Sequence, residues 1–326
     1  MVLGTIMLAW TVRRIGAGAL LVWLVASVTF VLVGLAPGDA ASRLTDPRIP
    51  PAARERWRRD FGLDRPLPVR YAAWLAAIVR GDLGFSWGDR RKVSEVLAAT
   101  LPNTLLLASL GLILELGGGV TLALVQLRRP HGSGDRLITL FSLTAYALPT
   151  FGVALGLLSL FAYRFHLFPP SHMHSLEGEM MQGWPRFVDL LQHLALPVVA
   201  IGVTGVGAVA RYLRGSLLDE RIEHYVLAAR ARGCSERRAL LAHALPNALL
   251  PLITMTGMSL PFLVSGSLII EVVFSWPGMG QVMFNAALAR DVPLLLGGTL
   301  VATVAVVVGN LLADAAYALV DPRVRV

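Results

Sequence analysis

Six apolar stretches, each near the length that crosses a lipid bilayer, recur along the chain. They occupy residues 15–36, 101–127, 137–163, 194–213, 248–273 and 294–320. A membrane-spanning helix needs about 20 such residues. The composition agrees, because 55% of the residues are hydrophobic and only 15% are charged, which is too little charge to cover a soluble protein of this size. The pattern predicts an all-α integral membrane protein with six transmembrane helices.

The arginines predict the orientation of these helices. If the N-terminus is cytoplasmic, the inner segments carry 14 arginines and the short outer loops carry three. Short loops rich in arginine stay in the cytoplasm, whereas a loop as long as 37–100 crosses largely regardless of its charge. Both termini are therefore expected in the cytoplasm. The first stretch is too long for a signal-peptide core of about 7–15 residues, which favours an uncleaved helix.

These observations predict the organisation of the chain. The expected segments are a cytoplasmic tail over 1–14, a first transmembrane helix over 15–36, an extracytoplasmic amphipathic region over 37–100, a five-helix core over 101–320 that includes a cytoplasmic loop at 214–247, and a cytoplasmic tail over 321–326. Turn residues and aromatic residues alternate in the 37–100 region, which indicates a small structured region rather than a linker. Four aromatic residues are expected there to pack together or to lie at the membrane interface: Trp57, Phe61, Tyr71 and Trp74.

The stretch HYVLAARARGCSERRALLAHALPNALLP, residues 224–251, is charged although it lies between two apolar stretches. Its spacing predicts two amphipathic helices. The expected apolar stripes are Leu218, Ile222, Val226 and Ala229 on the first helix and Leu241, Leu245, Leu249 and Leu252 on the second. Gly233 is expected to end the first helix and Ser235 to cap the second. Pro246 lies near the membrane entry point, where a kink is tolerated.

This stretch resembles the cytoplasmic loop of the permease subunits of ABC importers. That pattern runs Glu-Ala-Ala, three residues, Gly, nine residues, then Ile-x-Leu-Pro. Ala228, Ala229, Gly233, Leu245 and Pro246 match it, whereas Leu227 replaces the glutamate and His243 the isoleucine. These departures resemble the peptide and nickel branch. The similarity continues through PGDA, FGLDRPLPVRY, RGDLGFSW, LPNTLLLA, VVFSWPGMGQ, ARDVPLLLG and YALVDPRVRV, in that order along the chain.

The resemblance implies a type I ABC importer permease fold in a prokaryotic cell membrane, and a short coupling helix that docks on a separate ATP-hydrolysing subunit. The expected coupling residues are Arg221, Tyr225, Ala228, Ala229, Arg230, Gly233, Ser235, Leu245 and Pro246. The implied partners are a homologous second permease subunit, two ATP-binding subunits or domains, and an extracytoplasmic solute-binding protein. ATP and Mg²⁺ are expected on those partners, with no cofactor on this chain and no nucleic acid.

The sequence agrees with a chain that has no ATPase site of its own. A phosphate-binding loop requires Gly-Lys-Ser/Thr, and Lys92, the chain's lysine, lies between Arg91 and Val93. No HExxH or CxxC motif is present either. A transport subunit rather than an enzyme is therefore expected.

Several residues are candidates for the translocation pathway. Glu115 lies near the middle of the second stretch, where a carboxylate is costly and suggests a function, although a helix-packing contact or a protonated acid is an alternative. The other candidates are Met255, Thr256, Met258, Ser259 and Ser265 in the fifth stretch, and Glu271 near its end. For any one hydroxyl, a bond to its own helix backbone is the simpler account. For Glu271, anchoring at the membrane interface is the simpler account.

The His/Met-rich segment HLFPPSHMHSLEGEMMQ, residues 166–182, has ligands that suit nickel or copper. It lacks carboxylate or cysteine ligands at a fixed spacing, so no metal site is predicted there. The function indicated is import of di- or oligopeptides. Import of nickel or another small solute is the alternative within the family. An ion-coupled carrier would show intramembrane charge at a repeat interface, and a membrane enzyme would need a polar cluster that the apolar stretches do not supply.

Overall fold

The computed structural model of the chain describes residues 2–35, 56, 62, 64–259 and 267–320, with side chains for 12–35, 56, 62, 64–252 and 267–314. Throughout these ranges the regular elements are helices. The pairing of backbones at Phe85 and Lys92 is a single antiparallel bridge rather than a strand. The predicted all-α class is confirmed for the described part of the chain.

The helices are numbered here in chain order. They are α1 Val2–Leu35, α2 Leu67–Val79, α3 Val93–Gln126, α4 Ser133–Ala147, α5 Thr150–Leu157, α6 Leu176–Met180, α7 Trp184–Glu220, α8 His224–Ala231, α9 Glu236–Ala239, α10 Leu245–Ser259, α11 Leu268–Val273, α12 Met279–Leu288 and α13 Val292–Val320. Two π-helical segments, Leu158–Arg164 after α5 and Leu240–Ala244 between α9 and α10, continue their neighbours. Four of them, α1, α3, α7 and α13, are longer than the apolar stretches predict, and α1 extends through the predicted tail.

Among the described residues, four helical segments are long and apolar enough to cross a membrane: Val12–Leu35, Val93–Gln126, Trp184–Glu220 and Val292–Asp314. The pair Ser133–Ala147 and Thr150–Arg164, bent by 105°, makes a fifth if it is one broken span. The sixth predicted span, 248–273, includes residues 260–266, which lie outside the described residues. Six spans therefore stay a prediction.

The bend in the third predicted span has a local cause. Proline disfavours the helical conformation in the residue before it. Leu148, which precedes Pro149, is extended at φ −79° and ψ 133°, and α4 ends there. The helix restarts at Thr150, where a proline at the cap position needs no backbone N–H donor. The prediction of one continuous helix over 137–163 is wrong, because the apolar run contains a helix break.

The chain divides into two compact units. The first comprises Met1–Pro102 and Gln281–Val307, and the second Asn103–Gly280 and Val308–Val326. In the first unit, the rings of Tyr71 and Trp74 pack against Phe30, with centroids 5.4 Å and 5.0 Å from the Phe30 centroid. The rings of Tyr71 and Trp74 also lie next to each other, with centroids 6.1 Å apart, as predicted. Trp57 and Phe61, from the same prediction, lie outside the described residues.

A buried aspartate organises another part of the first unit. Asp291 is 1% exposed and accepts hydrogen bonds from the Ser86 hydroxyl at 2.6 Å and the Gly88 N–H at 2.7 Å. It also accepts one from the Leu294 N–H at 3.2 Å, which caps α13. The sequence segments RGDLGFSW and ARDVPLLLG, about 200 residues apart, are therefore joined by one carboxylate.

Glycines allow α3 and α7 to lie in close contact in the second unit. A β-carbon added at these glycines would meet the opposite helix, in the pairs Gly111–Ile201, Leu114–Gly202, Gly118–Val206 and Gly119–Val209. The residue numbers rise together in successive pairs, so α3 and α7 run parallel. The intervening chain must then return from the ends of these helices to their starts. It does so through α4, α5 and the π-helical segment, because Leu158 packs with Leu107 and Leu194 in the first halves of α3 and α7.

Candidate functional site

The charged stretch that follows α7 folds into a compact loop against the ends of α3 and α7. Residues 221–252 are called the coupling loop below. α7 ends at Glu220 and α8 begins at His224, so Ile222 falls in the break and is 72% exposed. Val226 and Ala229 are buried as predicted. The single stripe expected from Leu218 to Ala229 is wrong at Ile222, because the helix is not continuous there.

Gly233 ends α8 in a Schellman motif. Its φ of +88° lies in the left-handed region, where glycine has no steric cost. The Gly233 N–H donates to the Arg230 carbonyl at 2.9 Å, and the Cys234 N–H to the Ala229 carbonyl at 3.1 Å. A β-carbon at Gly233 would meet nothing within 4 Å. The predicted helix end is confirmed, and the constraint on this position is its backbone conformation rather than its size.

Ser235 caps the next helix, as predicted. Its hydroxyl accepts from the Arg238 N–H at 3.4 Å, and its φ of −59° and ψ of 150° are typical of a cap. Glu236 follows in the first turn, where a negative charge suits the helix dipole. The Glu236 carboxylate also pairs with the guanidinium group of Arg221, at the end of α7. This ion pair therefore connects the second helix to the residue that directly follows α7.

A π-helical turn shifts the buried face of the second helix. Sequence spacing predicts a stripe of Leu241, Leu245, Leu249 and Leu252, but Leu241 is 38% exposed. The buried series is instead Ala239, Ala244, Ala248 and Leu252, with one step of five residues. That step coincides with the π-helical segment Leu240–Ala244, whose wider turn adds a residue. α10 then begins at Leu245, with Pro246 in its first turn, where the missing N–H donor costs little.

The hydroxyl of Tyr225 connects α8 with the end of α7 and with α10. It donates to the Glu220 carboxylate at the end of α7 and accepts from the Asn247 side-chain amide of α10 at 2.8 Å. Burial, together with the hydrogen bond to Glu220, raises the pKa of Tyr225 to about 12. The hydroxyl therefore remains protonated, and so remains a donor, at neutral pH.

One face of the coupling loop packs against the transmembrane helices, and the opposite face is exposed. Its inner face packs on the fully buried Leu213 and Leu217 of α7 and Ala123 of α3. Its outer face exposes Ile222 at 72%, Leu227 at 44% and Tyr225 at 39%. Ala228 and Arg230 are exposed beside them. A short helix with a rigid base and an exposed apolar tip has the geometry for insertion into a groove of another protein.

A buried ion pair, which the sequence did not reveal, connects the end of α7 to α4. The guanidinium group of Arg214 donates two hydrogen bonds to Asp135, at 2.9 Å and 2.7 Å. Gln126 of α3 adds a third at 2.8 Å, and the His131 N–H a fourth at 2.8 Å. The Asp135 side chain is 4% exposed. One carboxylate therefore joins α3, α4 and α7 at the base of the coupling loop. Asp135 lies between Gly134 and Arg136 in the sequence, which gives no sign of this partner.

The structure places one pathway candidate and leaves most of the others outside its described side chains. Glu115 lies against Gly205, because a β-carbon added at Gly205 would overlap the Glu115 carboxyl group. This contact corresponds to the helix-packing contact that was the alternative to a pathway role for Glu115. The side chains of Met255, Thr256, Met258 and Ser259, and all of Ser265, lie outside the described residues. Their proposed role as pathway residues stays a prediction.

Glu271 lies inside a folded turn rather than on an open wall or at an interface. It is 0% exposed and accepts a hydrogen bond from the Ser267 hydroxyl at 2.7 Å. Gly280 leaves room for it, since a β-carbon there would come within 2.9 Å of the carboxylate. The Trp276 indole N–H donates to the Asn103 carbonyl at 3.0 Å, which fastens this turn to α3. The observed burial favours a structural role for Glu271.

The His/Met-rich segment is organised by an aspartate on α7. Asp189 pairs with the Nδ1 atom of His174 at 2.9 Å and accepts from the Ser175 N–H at 3.2 Å. His193 Nδ1 donates to the Asp189 backbone carbonyl at 2.8 Å. Ser175 caps α6 by accepting from the Gly178 N–H at 2.9 Å. No group of three potential ligands arranged for a metal ion occurs among the described residues.

Comparison with known proteins decides the family. Residues 115–326 match the family model described as "Binding-protein-dependent transport system inner membrane component", and residues 7–108 match that of its N-terminal part. The chain belongs to this family. The match covers the coupling loop and the turn that contains Glu271. Membership makes the chain a permease component, and with its several apolar helices it is a multi-pass inner-membrane protein.

Curated relatives match this family member along nearly its whole length. The oligopeptide transport system permease protein AppB of Bacillus subtilis is 36% identical over 320 residues, covering 98% of this chain and 100% of that protein. The dipeptide transport system permease protein DppB of Escherichia coli is 30% identical over 336 residues, covering 98% and 99%. The resemblance to ABC importer permeases is therefore confirmed.

Proposed function

We propose that this chain is the permease subunit of an ATP-driven importer of di- or oligopeptides and forms one half of its translocation pathway. The names of its full-length relatives support peptides as the cargo. A homologous permease supplies the other half, and an external binding protein delivers the peptide. Two ATPase subunits or domains hold ATP and Mg²⁺, so the chain itself needs no cofactor.

The coupling loop is the part of this chain that receives the motion of the ATPase. One observation supports this proposal above the others: the loop exposes an apolar tip while its base packs on α7 and is joined to Glu220 of α7 by the Tyr225 hydroxyl. A tip inserted into a groove moves with that groove, and a fixed base passes the movement to α7. Exposed Leu227 and Ile222 supply the apolar contact.

This docking is tested with a matched pair of substitutions. Leu227 lies on the loop and Leu176 lies on α6, and both are exposed leucines. Leu227→Arg puts a long charged side chain into the proposed interface, so the ATPase subunits should no longer co-purify with the permease. Leu176→Arg should leave co-purification unchanged. If both variants, or neither, lose the ATPase subunits, the loop is not the docking element.

The cargo is tested with the complete transporter in proteoliposomes. Labelled dipeptide, hexapeptide and nickel are offered with the binding protein and ATP. Peptide accumulation is expected, and accumulation of nickel alone would replace the peptide assignment by the alternative within the same family.

The proposed orientation, with both termini cytoplasmic, places the loop on the inner side. The sole cysteine of the sequence, Cys234, is half-buried in the loop and reports on this. A membrane-impermeant maleimide should label it in inside-out vesicles and not in right-side-out vesicles. The reverse pattern would contradict the orientation.

A further inference from the structure

A cavity of about 580 Å³ lies between the end of α3 and the coupling loop. Part of its wall is apolar and includes Leu124, Leu127, Leu240 and Leu241. The rest carries charge, from Arg128, Arg221, Arg230, Arg237 and Glu236. The cavity therefore combines a hydrocarbon surface with clustered guanidinium groups.

The charge of this cavity is not balanced internally. Among the residues that line it, Glu236 alone carries a carboxylate, and that carboxylate pairs with Arg221. Arg128, Arg230 and Arg237 face the cavity as further cations. Guanidinium groups bind the oxygens of phosphate and carboxylate groups with two parallel hydrogen bonds, so an anion of this geometry is the chemistry that they recognise, and a phosphate ester is one such group.

The position of the cavity indicates where the phosphate comes from. The apolar stretch of α3 ends at Leu127, and Arg128 and Arg129 follow directly. That transition marks the depth at which hydrocarbon gives way to headgroups, and Leu127 and Arg128 both line the cavity. An inorganic phosphate or a nucleotide would leave the leucine wall facing water. An amphiphile covers both surfaces at once.

We propose that the cavity binds an anionic phospholipid, with its phosphate among Arg128, Arg230 and Arg237 and its first acyl carbons against Leu127 and Leu241. Basic pockets between transmembrane helices on the cytoplasmic side are suited to such headgroups. The proposal rests on the cytoplasmic placement of the coupling loop in the proposed function. The bound lipid connects α3 with α8 and α9, so it holds the loop against the transmembrane helices.

The experiment compares two pairs of arginines in the full-length chain, in nanodiscs of phosphatidylcholine. Binding of fluorescent phosphatidylglycerol is titrated for Arg128→Gln with Arg237→Gln, and for Arg129→Gln with Arg238→Gln. All four arginines are exposed neighbours, but only the first pair lines the cavity. Affinity should fall about tenfold for the first pair and less than about twofold for the second, since each basic residue near an anionic headgroup contributes separately.

Two further arms separate the sources of phosphate. Inorganic phosphate at millimolar concentration should not displace the lipid, and Leu241→Asn should weaken binding of phosphatidylglycerol because it removes an acyl contact. Equal losses of affinity in both arginine pairs would show that general surface charge, and not the cavity, attracts the lipid, and would overturn the proposal. Displacement by phosphate alone, unaltered binding in Leu241→Asn, or absence of saturable lipid binding would each overturn the proposal.

These outcomes do not depend on the transport assignment. Binding is measured on the permease chain without ATPase subunits or cargo. A failure of peptide uptake would therefore contradict the proposed function while leaving the lipid measurement intact.

Discussion

The two ends of α7 are each organised by an aspartate, but with different partners. At the carboxyl-terminal end, Asp135 accepts two hydrogen bonds from the Arg214 guanidinium group. At the amino-terminal end, Asp189 of α7 itself pairs with the imidazole of His174 and accepts the Ser175 N–H. The first arrangement joins three long helices, whereas the second ties a surface segment to the helix that it precedes.

This difference distinguishes a fixed connection from a weaker one. A guanidinium group stays charged at every physiological pH and holds a carboxylate in a planar, bidentate geometry. The imidazole of His174 makes a single contact with Asp189. The fixed connection lies near the end of α7 from which the coupling loop extends, where the proposed function requires a movement of the loop to reach the transmembrane helices.

The largest effect is expected at the fixed end. Asp135→Ala leaves the Arg214 guanidinium without its carboxylate and should lower the free energy of unfolding by about 3 kcal/mol. This is the low end for a buried pair, because Arg214 keeps 23% of its side chain exposed. Thermal or denaturant unfolding in detergent measures it. Arg136→Ala, at an exposed neighbour, is the control and should change stability by less than about 0.5 kcal/mol. A loss no larger than that of the control would contradict a fixed connection.

A smaller effect is expected at the amino-terminal end of α7. Asp189→Asn alters the contact with His174 but keeps an acceptor for the Ser175 N–H, so the loss should be about 1–2 kcal/mol. The same unfolding measurement in detergent determines this loss. A loss as large as that of Asp135→Ala would contradict the comparison.

The next effect concerns the turn between the two helices of the loop. Gly233→Val forces a β-branched residue into a left-handed conformation, at a cost of about 1–2 kcal/mol. Gly233→Asn should cost less, because asparagine tolerates that conformation. Peptide uptake per ATP hydrolysed should fall in the valine variant and stay near wild type in the asparagine variant. Since a β-carbon meets nothing there, equal losses in both variants would show that the side chain, and not the backbone, matters.

The smallest expected difference comes from two serines with the same structural role. Ser235 caps a helix at the carboxyl-terminal end of α7, and Ser175 caps one near its amino-terminal end. Replacement by alanine should cost about 1 kcal/mol at either site. Only Ser235→Ala should lower uptake per ATP hydrolysed, measured in the assembled transporter. If uptake per ATP hydrolysed changes in Ser175→Ala and not in Ser235→Ala, movement is transmitted through the amino-terminal end of α7, which contradicts the account.

The local turns of the coupling loop were predictable because each depends on one residue type. Gly233 alone suits a left-handed turn, and Ser235 alone there offers a capping hydroxyl before a helix. The buried face of the second helix was not predictable in the same way. Helical spacing assigned it to Leu241 and Leu245, whereas a π-helical turn moved it to Ala244 and Ala248. Apolar leucines at regular spacing give no sign of such a turn.

The contacts between distant segments could not be predicted from the sequence either. Nothing in the pattern joins Asp135 to Arg214, 79 residues later, since an aspartate at the start of an apolar helix equally suits capping. Pairing of Glu115 with Gly205 needed the parallel packing of α3 and α7. Four of the apolar runs did predict helices long enough to cross a membrane, because the length of an apolar run is a local property. The run 137–163 contains the break before Pro149, and the run 248–273 includes residues outside those that the structure describes.

The central claim is that this permease supplies the path while a separate ATPase, acting through the coupling loop, supplies the driving force. Peptide accumulation in proteoliposomes is the most direct test, with the two permease subunits and binding protein present and the ATPase subunits either included or omitted. Accumulation against a gradient only when ATPase subunits and ATP are both included is the predicted result. Accumulation without the ATPase subunits would contradict it.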